Sequence, residues 1–230
     1  MYPVKDTMPH WMKRLFLRPK ELSVDESYAL WAPDYPPHAH NRLMELEESA
    51  FLGMLPDVRG RAALDLACGT GRYLKRLLLR GASPVVGLDV SPPMLARART
   101  ITLNLINANL ISLSLRPCAF GVVTCALALG HVEDLRRALK EISRVLVPGG
   151  VLVYSDFHPL GSLLGWKRIF RGSDGRKYVV RHFTHLYSDH VAACVAAGLS
   201  IEQVSEPRIN FEHKWRGCPA LLVIRARKAE

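Results

Sequence analysis

The sequence predicts an α/β fold, in which a mostly parallel sheet is covered by helices on both faces. Strand and helix signals alternate from residue 62 onward, as expected for consecutive strand–helix–strand units. Several of the strand signals are short, almost wholly apolar runs, which is typical of strands buried on both faces. A glycine-containing loop joins the first strand of this region to the first helix.

The composition is that of a globular chain with one large domain, or one domain and a small cap. Of 230 residues, 49% are apolar and 23% are charged, which excludes a disordered or collagen-like chain. No charge-free run reaches the ~18 residues of a membrane helix, and residues 1–20 lack the apolar core of a secretory signal. Five cysteines without a CxxC pair favour reduced thiols over a disulfide framework or a zinc site. We therefore expect a cytoplasmic protein without a bound metal.

The net charge of +10 has two interpretations. A basic surface favours anionic partners, such as phosphates, acidic carrier proteins, nucleic acid or acidic lipids. The alternative is a solvated surface that only keeps the protein soluble. The composition does not choose between these two interpretations.

The individual elements follow from local patterns. The predicted elements, in chain order, are strand 62–67, helix 72–80, strand 85–89, helix 91–100, strand 101–107, strand 120–127, helix 133–146, strand 151–155, hairpin strands 168–170 and 178–180, helix 188–198, and strands 200–205 and 220–226. The first helix ends before Gly81, and glycine is common just past helix ends. Ser91 is a helix N-cap, and Pro92 occupies the first turn, where proline is tolerated. Residues 101–107 alternate apolar and polar side chains, as a half-buried strand does.

The pattern changes in the second half of the chain. From Glu133, apolar residues recur at three- and four-residue spacing, with Arg144 near the end, which is the charge order that the helix dipole favours. Residues 148–150 (Pro-Gly-Gly) end this helix. Residues 172–175 (Gly-Ser-Asp-Gly) lie between two short strand-like runs, which predicts an inserted hairpin. The last two strands are predicted to form a terminal antiparallel pair.

The glycine loop, residues 67–71, indicates a ligand site between the first strand and the first helix. It is not a dinucleotide loop, because Leu74 stands where a third small residue is needed. It is not an ATP phosphate loop either, because no Gly-Lys-Ser/Thr follows. Asp65 lies before the loop, and Asp89, at the end of the second strand, can accept hydrogen bonds from a ribose diol. Met94 can pack on an adenine, so the pattern indicates a nucleoside without a pyrophosphate.

These segments resemble the class I S-adenosylmethionine-dependent methyltransferases. LDLACGTGRY is similar to their first motif, GLDVSPPMLARA to their second, and FGVVTCALALGHVED and RVLVPGGVLVYSD to their fourth and fifth regions. The resemblance covers roughly residues 26–227. It implies a Rossmann-like doubly wound seven-stranded sheet, mostly parallel with the last strand antiparallel. It also implies that S-adenosyl-L-methionine binds across the carboxyl ends of the first strands.

The resemblance implies a set of cofactor contacts. Asp89 would hold the ribose hydroxyls, and the two loop glycines would line the methionine part. Asn109 stands where the family usually has an acid near the adenine amine, and Gly121 replaces a usual aspartate; we expect both departures to be tolerated. The expected cofactor-binding residues are Tyr28, Asp65, Ala67, Cys68, Gly69, Gly71, Asp89, Val90, Met94, Asn109, Leu110 and Leu127.

Some subclasses of the family are excluded by their motifs. Residues 128–131 (Ala-Leu-Gly-His) lack the Asn/Asp-Pro-Pro-aromatic run of adenine and glutamine methyltransferases. Cys125 lies inside a strand without a preceding proline, unlike the cytosine-C5 nucleophile. The chain is most similar to the small-molecule branch that includes the menaquinone/ubiquinone and malonyl-carrier-protein methyltransferases, and residues 28–35 resemble their N-terminal cap. An RNA methyltransferase and a non-catalytic S-adenosylmethionine-binding protein are the alternatives.

Histidines near the expected mouth of the site are candidate bases. An oxygen or nitrogen nucleophile can need a base with a pKa near neutral, which favours histidine. His131 follows the fourth strand and His158 the fifth, and His185 and Tyr187 come before the next helix. The alternative for each is a loop side chain that is hydrogen-bonded to the backbone.

We expect the chain to divide into an N-terminal helical cap (1–60), a cofactor-binding core (61–156), an inserted hairpin that serves as substrate lid (157–183) and the remainder of the core (184–230). The lid holds six Lys and Arg residues against one Asp, so an anionic substrate, small or carrier-bound, is one interpretation and a solvated hairpin is the other. Residues 11–18 are basic and apolar; one interpretation is an anchor at a membrane surface, and the alternative is a segment that is disordered or packs on the cap.

Overall fold

The computed structural model describes residues 19–172 and 174–230. In this part, the chain forms ten strands and seven α-helices: β1 Lys20–Leu22, α1 Val24–Trp31, α2 Arg42–Met54, β2 Ala63–Leu66, α3 Arg72–Leu79, β3 Val85–Asp89, α4 Pro92–Ala98, β4 Leu105–Asn107, β5 Phe120–Ala126, α5 Leu135–Val145, β6 Leu146–Phe157, α6 Pro159–Leu163, β7 Ile169–Arg171, β8 Lys177–Val180, α7 Tyr187–Ala196, β9 Leu199–Ser205 and β10 Leu221–Lys228. The hypothesis for residues 11–18 lies outside the described residues.

Seven strands form one sheet in the order β4-β3-β2-β5-β6-β10-β9. Each neighbouring pair from β4 to β6 is parallel, whereas β10 runs antiparallel to both β6 and β9. The predicted doubly wound, seven-stranded sheet with its last strand antiparallel is therefore confirmed. The strand order reverses between β2 and β5, and the carboxyl ends of parallel strands open a crevice at such a point.

Apolar layers cover both faces of this sheet. Successive residues of β2 point to opposite faces: Ala63 packs in a cluster with Leu74 of α3, and Leu64 packs in a cluster with Leu139 of α5. All four side chains are fully buried. None of the helices in the described residues is long and apolar enough to cross a membrane.

Two predicted boundaries differ from the structure by more than two residues, namely the starts of β4 and β6. β4 is shorter than predicted because the amides of Ile101 and Thr102 donate to the carbonyl of Ala98 and close the end of α4. Ile101 then packs against Gly71, whose φ is +96°. A Cβ added at Gly71 would lie 2.5 Å from the Cδ1 atom of Ile101. The Pro-Gly-Gly run at 148–150 follows the helix as predicted, but it lies inside β6, as an irregularity in the pairing with β5.

A second, three-stranded sheet has the order β1-β8-β7. The predicted hairpin is β7 and β8, paired antiparallel, while β1 was not predicted and pairs parallel with β8. Trp31 of α1 stacks on Phe170 of the hairpin with ring centroids 4.7 Å apart. The segment before the core and the inserted hairpin therefore pack together as one unit.

Candidate active site

A cavity of about 330 Å³ lies at the carboxyl ends of β2, β3 and β5. The loop after β2 lies on one side, and α1 and the segment before β7 contribute residues to the other. The core contributes Asp65, Ala67, Cys68, Gly69, Thr70, Arg72, Tyr73, Leu88, Asp89, Val90, Met94, Ala108, Asn109, Leu110, Ala126, Leu127, Ala128, His131 and Val132. The cap and the inserted segment contribute Ser23, Val24, Asp25, Tyr28, Tyr35, Arg168, Arg181 and Phe183.

Asp89 ends β3 and holds the glycine loop in place. The amide of Gly69 donates to its Oδ2 and the amide of Ser91 to its Oδ1, each at 2.8 Å. Burial raises the pKa of this carboxyl, against the opposing effect of the backbone donors. A carboxylate oxygen has more than one lone pair, so Asp89 retains acceptor capacity towards the cavity.

Asp65 is a buried carboxyl with one unsatisfied oxygen. The Thr124 hydroxyl donates to its Oδ1 at 2.7 Å, and no donor among the described residues reaches its Oδ2. Burial raises the pKa of Asp65 to about 7. Because Asp65 also lines the cavity, a cationic group bound there can supply the missing donor and favour the ionised form.

A buried ionic network joins α2 to the start of α3. Glu47 is fully buried and accepts from the Tyr73 hydroxyl at 3.0 Å and from the Ser155 hydroxyl at 2.6 Å. Arg72, in the cavity wall, pairs with Glu47 at 2.7 Å between Nη1 and Oε2. The cap helix α2 therefore fixes the position of a cationic side chain beside the glycine loop.

His131 is held in one tautomer by its neighbours. Its Nδ1 lies 2.8 Å from the carbonyl of Arg181, which can only accept, so Nδ1 carries the proton. Its Nε2 is then an acceptor, and the Tyr28 hydroxyl at 3.0 Å and Arg168 Nη1 at 3.2 Å both donate to it. Burial, followed by the nearby Arg168 charge, lowers the pKa of His131 to about 3. The imidazole is neutral, and its lone pair is already engaged.

Arg168 brings a cation from the inserted segment into the cavity wall. Its Nη1 also donates to the carbonyl of Leu127, just after β5, at 3.0 Å. Its guanidinium lies over the rings of Tyr28 and Phe157, at 5.6 and 5.3 Å from the centroids. Within residues 19–172 and 174–230, no carboxylate lies within 4 Å of it, as an ion pair would require.

Asp156 organises the turn that carries His131. It accepts from the amide of Gly130 through Oδ2 and from His182 Nε2 through Oδ1, at 3.1 Å in the second case. Burial alone would raise the pKa of Asp156, but the His182 hydrogen bond and charge hold it below its usual value. A Cβ at position 130 would collide with the His182 ring, so the close approach requires glycine.

Residues 64–154 match the family model described as a methyltransferase domain. The chain is 40% identical over 105 residues to demethylmenaquinone methyltransferase of Thermus thermophilus, covering 42% of this chain and 47% of that protein. It is 27% identical over 187 residues to malonyl-[acyl-carrier protein] O-methyltransferase of Enterobacter lignolyticus, covering 80% of this chain and 73% of that protein. A crystal structure of an S-adenosylmethionine dependent methyltransferase from Mesorhizobium loti has a TM-score of 0.67 and 28% identity, covering 80% of this chain and 98% of that one. This chain is a class I S-adenosylmethionine-dependent methyltransferase.

The cavity of the methyltransferase fits such a cofactor in two respects. Asp65 offers an unsatisfied, buried carboxylate oxygen, which suits the ammonium and sulfonium charges of S-adenosylmethionine. Gly69 has a φ of +55°, and no atom of the described residues lies within 4 Å of the position of a Cβ there, so the backbone is open to a ligand.

The structure separates the predicted site residues into two groups. Twelve line the cavity: Tyr28, Asp65, Ala67, Cys68, Gly69, Asp89, Val90, Met94, Asn109, Leu110, Leu127 and His131. Four do not: Gly71, His158, His185 and Tyr187.

Each of these four has another place in the methyltransferase. Gly71 precedes α3 and packs on Ile101. His158 caps α6 through the amide of Leu160 and contacts Glu206 at 3.2 Å, and His185 Nε2 lies 2.8 Å from the Val132 carbonyl. These histidines match the alternative interpretation, that of hydrogen-bonded loop side chains. Tyr187 begins α7 and is 43% exposed.

Sequence reasoning missed several charged and aromatic residues of the wall, above all Arg72 and Arg168. Arg168 is one of the six lid cations, and the sequence pattern does not single it out. Of the other lid cations, Arg171 donates to the Gly175 carbonyl, and Arg176 is 82% exposed. No periodicity distinguishes Arg168 from these neighbours, because its position depends on how the hairpin docks on α1.

Proposed function

We propose that this methyltransferase transfers the methyl group of S-adenosylmethionine to an anionic acceptor, small or carrier-bound, that Arg168 holds. The observation that carries the proposal is the guanidinium of Arg168, directed to the carbonyl of Leu127 and without a carboxylate partner in the described residues. A largely buried cation of this kind is stabilised by a bound anion, and its planar fork suits a carboxylate or a phosphate.

The cofactor contacts are part of the same proposal. Asp89 accepts hydrogen bonds from the ribose hydroxyls, and Met94 packs beside the adenine, with Asn109 near its amine. Asp65 pairs with the ammonium group through its unsatisfied Oδ2. Arg72, which Glu47 holds in the cavity wall, pairs with the cofactor carboxylate.

When bound, the cofactor supplies a methyl group that its sulfonium already activates. The protein contributes alignment: attack must be in line, and a well-oriented pair of reactants gains most of its rate from position. Tyr28 and Arg168 close the cavity on the side of the cap and the hairpin, and they engage His131. With its lone pair engaged, His131 acts as a positioning residue, which favours an acceptor that needs no deprotonation.

The test combines binding and turnover. Wild-type protein is titrated with S-adenosylhomocysteine by calorimetry and is then assayed for labelled methyl transfer to carboxylates, acyl carriers and quinones. We expect micromolar binding, weakened at least tenfold in Asp89→Ala. We expect Arg168→Gln to lower kcat/KM for the acceptor by about 100-fold, which corresponds to about 2.7 kcal/mol, while S-adenosylhomocysteine binding changes little.

The matched control is Arg176→Gln, an exposed arginine of the same hairpin. It should leave kcat/KM within twofold of wild type. Folded protein that binds no S-adenosylhomocysteine would refute the cofactor site. Equal kcat/KM values in Arg168→Gln and Arg176→Gln would refute the proposal that Arg168 holds an anionic acceptor.

A further inference from the structure

A second cavity of about 330 Å³ lies on the far side of Arg168. Its walls come from β1, α2, the end of β6, α6 and the hairpin. The lining residues are Glu21, Leu43, Phe157, Gly161, Ser162, Trp166, Lys167, Arg168, Val179, Val180, His182 and Thr184. Arg168 lines both cavities, so its side chain forms part of the wall that they share.

The wall between the two cavities is thin. His131 lines the cofactor cavity and His182 lines the second one, and their ring centroids are 5.6 Å apart. Phe157 lies 5.9 Å from the His182 ring and under the guanidinium of Arg168. A ligand of the second cavity that contacts Arg168 is therefore next to the end of the cofactor cavity formed by Leu127 and His131.

The second cavity combines an apolar interior with hydrogen-bond donors. Leu43, Phe157 and Val179 give it apolar surface. Trp166 packs its six-membered ring on Gly161, and its indole Nε1 is buried without an acceptor among the described residues. Among the described residues of the lining, Glu21 is the one acidic side chain, and it lies 3.4 Å from Arg181.

We propose that the second cavity holds the apolar stem of a carboxylate acceptor, and that Arg168 directs its carboxylate to the cofactor, where a carboxylate oxygen takes the methyl group. This inference rests on the proposed function, because it names the acceptor of the same site. The donors and the apolar surface match an alkanoate or arylalkanoate better than a neutral quinone.

The chemistry of this step needs no base. The carboxylate oxygen forms a bond to the methyl carbon while the carbon–sulfur bond breaks and its electron pair passes to sulfur. The products are a methyl ester and S-adenosylhomocysteine, and no proton moves. This agrees with the state of His131, whose Nε2 accepts from Tyr28 and Arg168 and is not available to take a proton.

The test uses the complex with S-adenosylhomocysteine, so that the cofactor cavity is filled. Alkanoates of two to ten carbons and 3-phenylpropanoate are titrated into it, each beside its amide, which has the same stem without the charge. We expect the best acid to bind at least tenfold more tightly than its amide, and Arg168→Gln to abolish the difference. Leu43→Trp, which fills the cavity from α2, should weaken binding of the acid at least tenfold. Ser49→Trp, at an exposed position of the same helix, should leave binding of the acid unchanged.

Three results would overturn the inference. The first is that no acid binds more tightly than its amide, and the second is that Leu43→Trp binds the acid as wild type does. The third is that labelled product from S-adenosylmethionine and the best acid does not release labelled methanol in alkali, as a methyl ester must. All variants are titrated with S-adenosylhomocysteine first: if wild type fails there, the proposed function fails, and if it succeeds, a negative result concerns the acceptor alone.

Discussion

Individual charged residues around the cofactor cavity are satisfied to different degrees. Asp89 has a backbone donor for each oxygen, whereas the described residues supply Asp65 with a donor for one oxygen only. Arg168 has hydrogen-bond acceptors but no carboxylate partner among the described residues. Because an unpaired buried charge is costly, these incomplete positions are where a charged ligand gains most.

Asp65 predicts a pH dependence of cofactor binding. Its pKa in the ligand-free protein is raised to about 7, mainly by burial, so the carboxyl is mostly protonated at pH 6. The ammonium of the cofactor favours the carboxylate, and binding therefore releases a proton below pH 7. We expect the affinity for S-adenosylhomocysteine to rise about 50-fold from pH 5 to pH 7 and to level off above pH 7. Calorimetry across this range, in two buffers of different ionisation enthalpy, measures both the affinity and the proton release.

Two controls isolate this effect. Asp65→Asn cannot ionise, so its affinity should be flat over the same pH range. Adenosine lacks the ammonium group, so its binding to wild type should also be flat. A steep pH dependence that persists in Asp65→Asn would assign the proton to another group and contradict the pairing.

At the scale of elements, a buried carboxylate of α2 links this helix to the core, beside the apolar contacts of Phe51 and Met54. Glu47 pairs with Arg72 and accepts from Tyr73 and Ser155, on α3 and β6. Removing one partner of a buried ionic group leaves the other uncompensated, which costs about 3–5 kcal/mol. We expect Glu47→Ala to lower the free energy of unfolding by about that amount, measured by urea denaturation.

The same helix offers the control. Glu45 is 60% exposed and pairs with Arg42 at 3.6 Å. Because exposed pairs are worth about 0–1 kcal/mol, Glu45→Ala should stay within about 1 kcal/mol of wild type. If the two variants lose the same stability, the network around Glu47 does not hold α2 in place.

Local patterns predicted most elements of the fold because their signals lie within a few residues. The glycine loop, the Asp89 strand end and the hairpin at 169–180 are of this kind. β1 could not be found this way, since three residues, Lys20–Leu22, become a strand only by pairing with β8. His158 and His185 show the same limit: their positions near strand ends suggested a role at the site, but side-chain direction depends on long-range packing.

At the scale of the whole molecule, the cavity lies between two packed units. The seven-stranded sheet supplies the glycine loop, while α1 and the segment that leads into β7 supply Tyr28 and Arg168. The stack of Trp31 on Phe170 and the pairing of β1 with β8 join α1 to the hairpin. A ligand that contacts both units should therefore stabilise the smaller unit as well as the loop.

This arrangement predicts the pattern of hydrogen exchange on binding. With S-adenosylhomocysteine at 100 times its Kd, the bound state is stabilised by about 2.7 kcal/mol. We expect slower amide exchange in 64–74 and 85–94, and also in 24–31 and 169–180, while β9, at the far edge of the sheet, stays unchanged. Trp31→Ala removes the stack on Phe170, so it should abolish the protection of 169–180 and keep that of 64–74; Leu79→Ala, at a 70% exposed position, should change neither. Protection confined to 64–94 in wild type would mean that the cap and the hairpin do not respond to the cofactor.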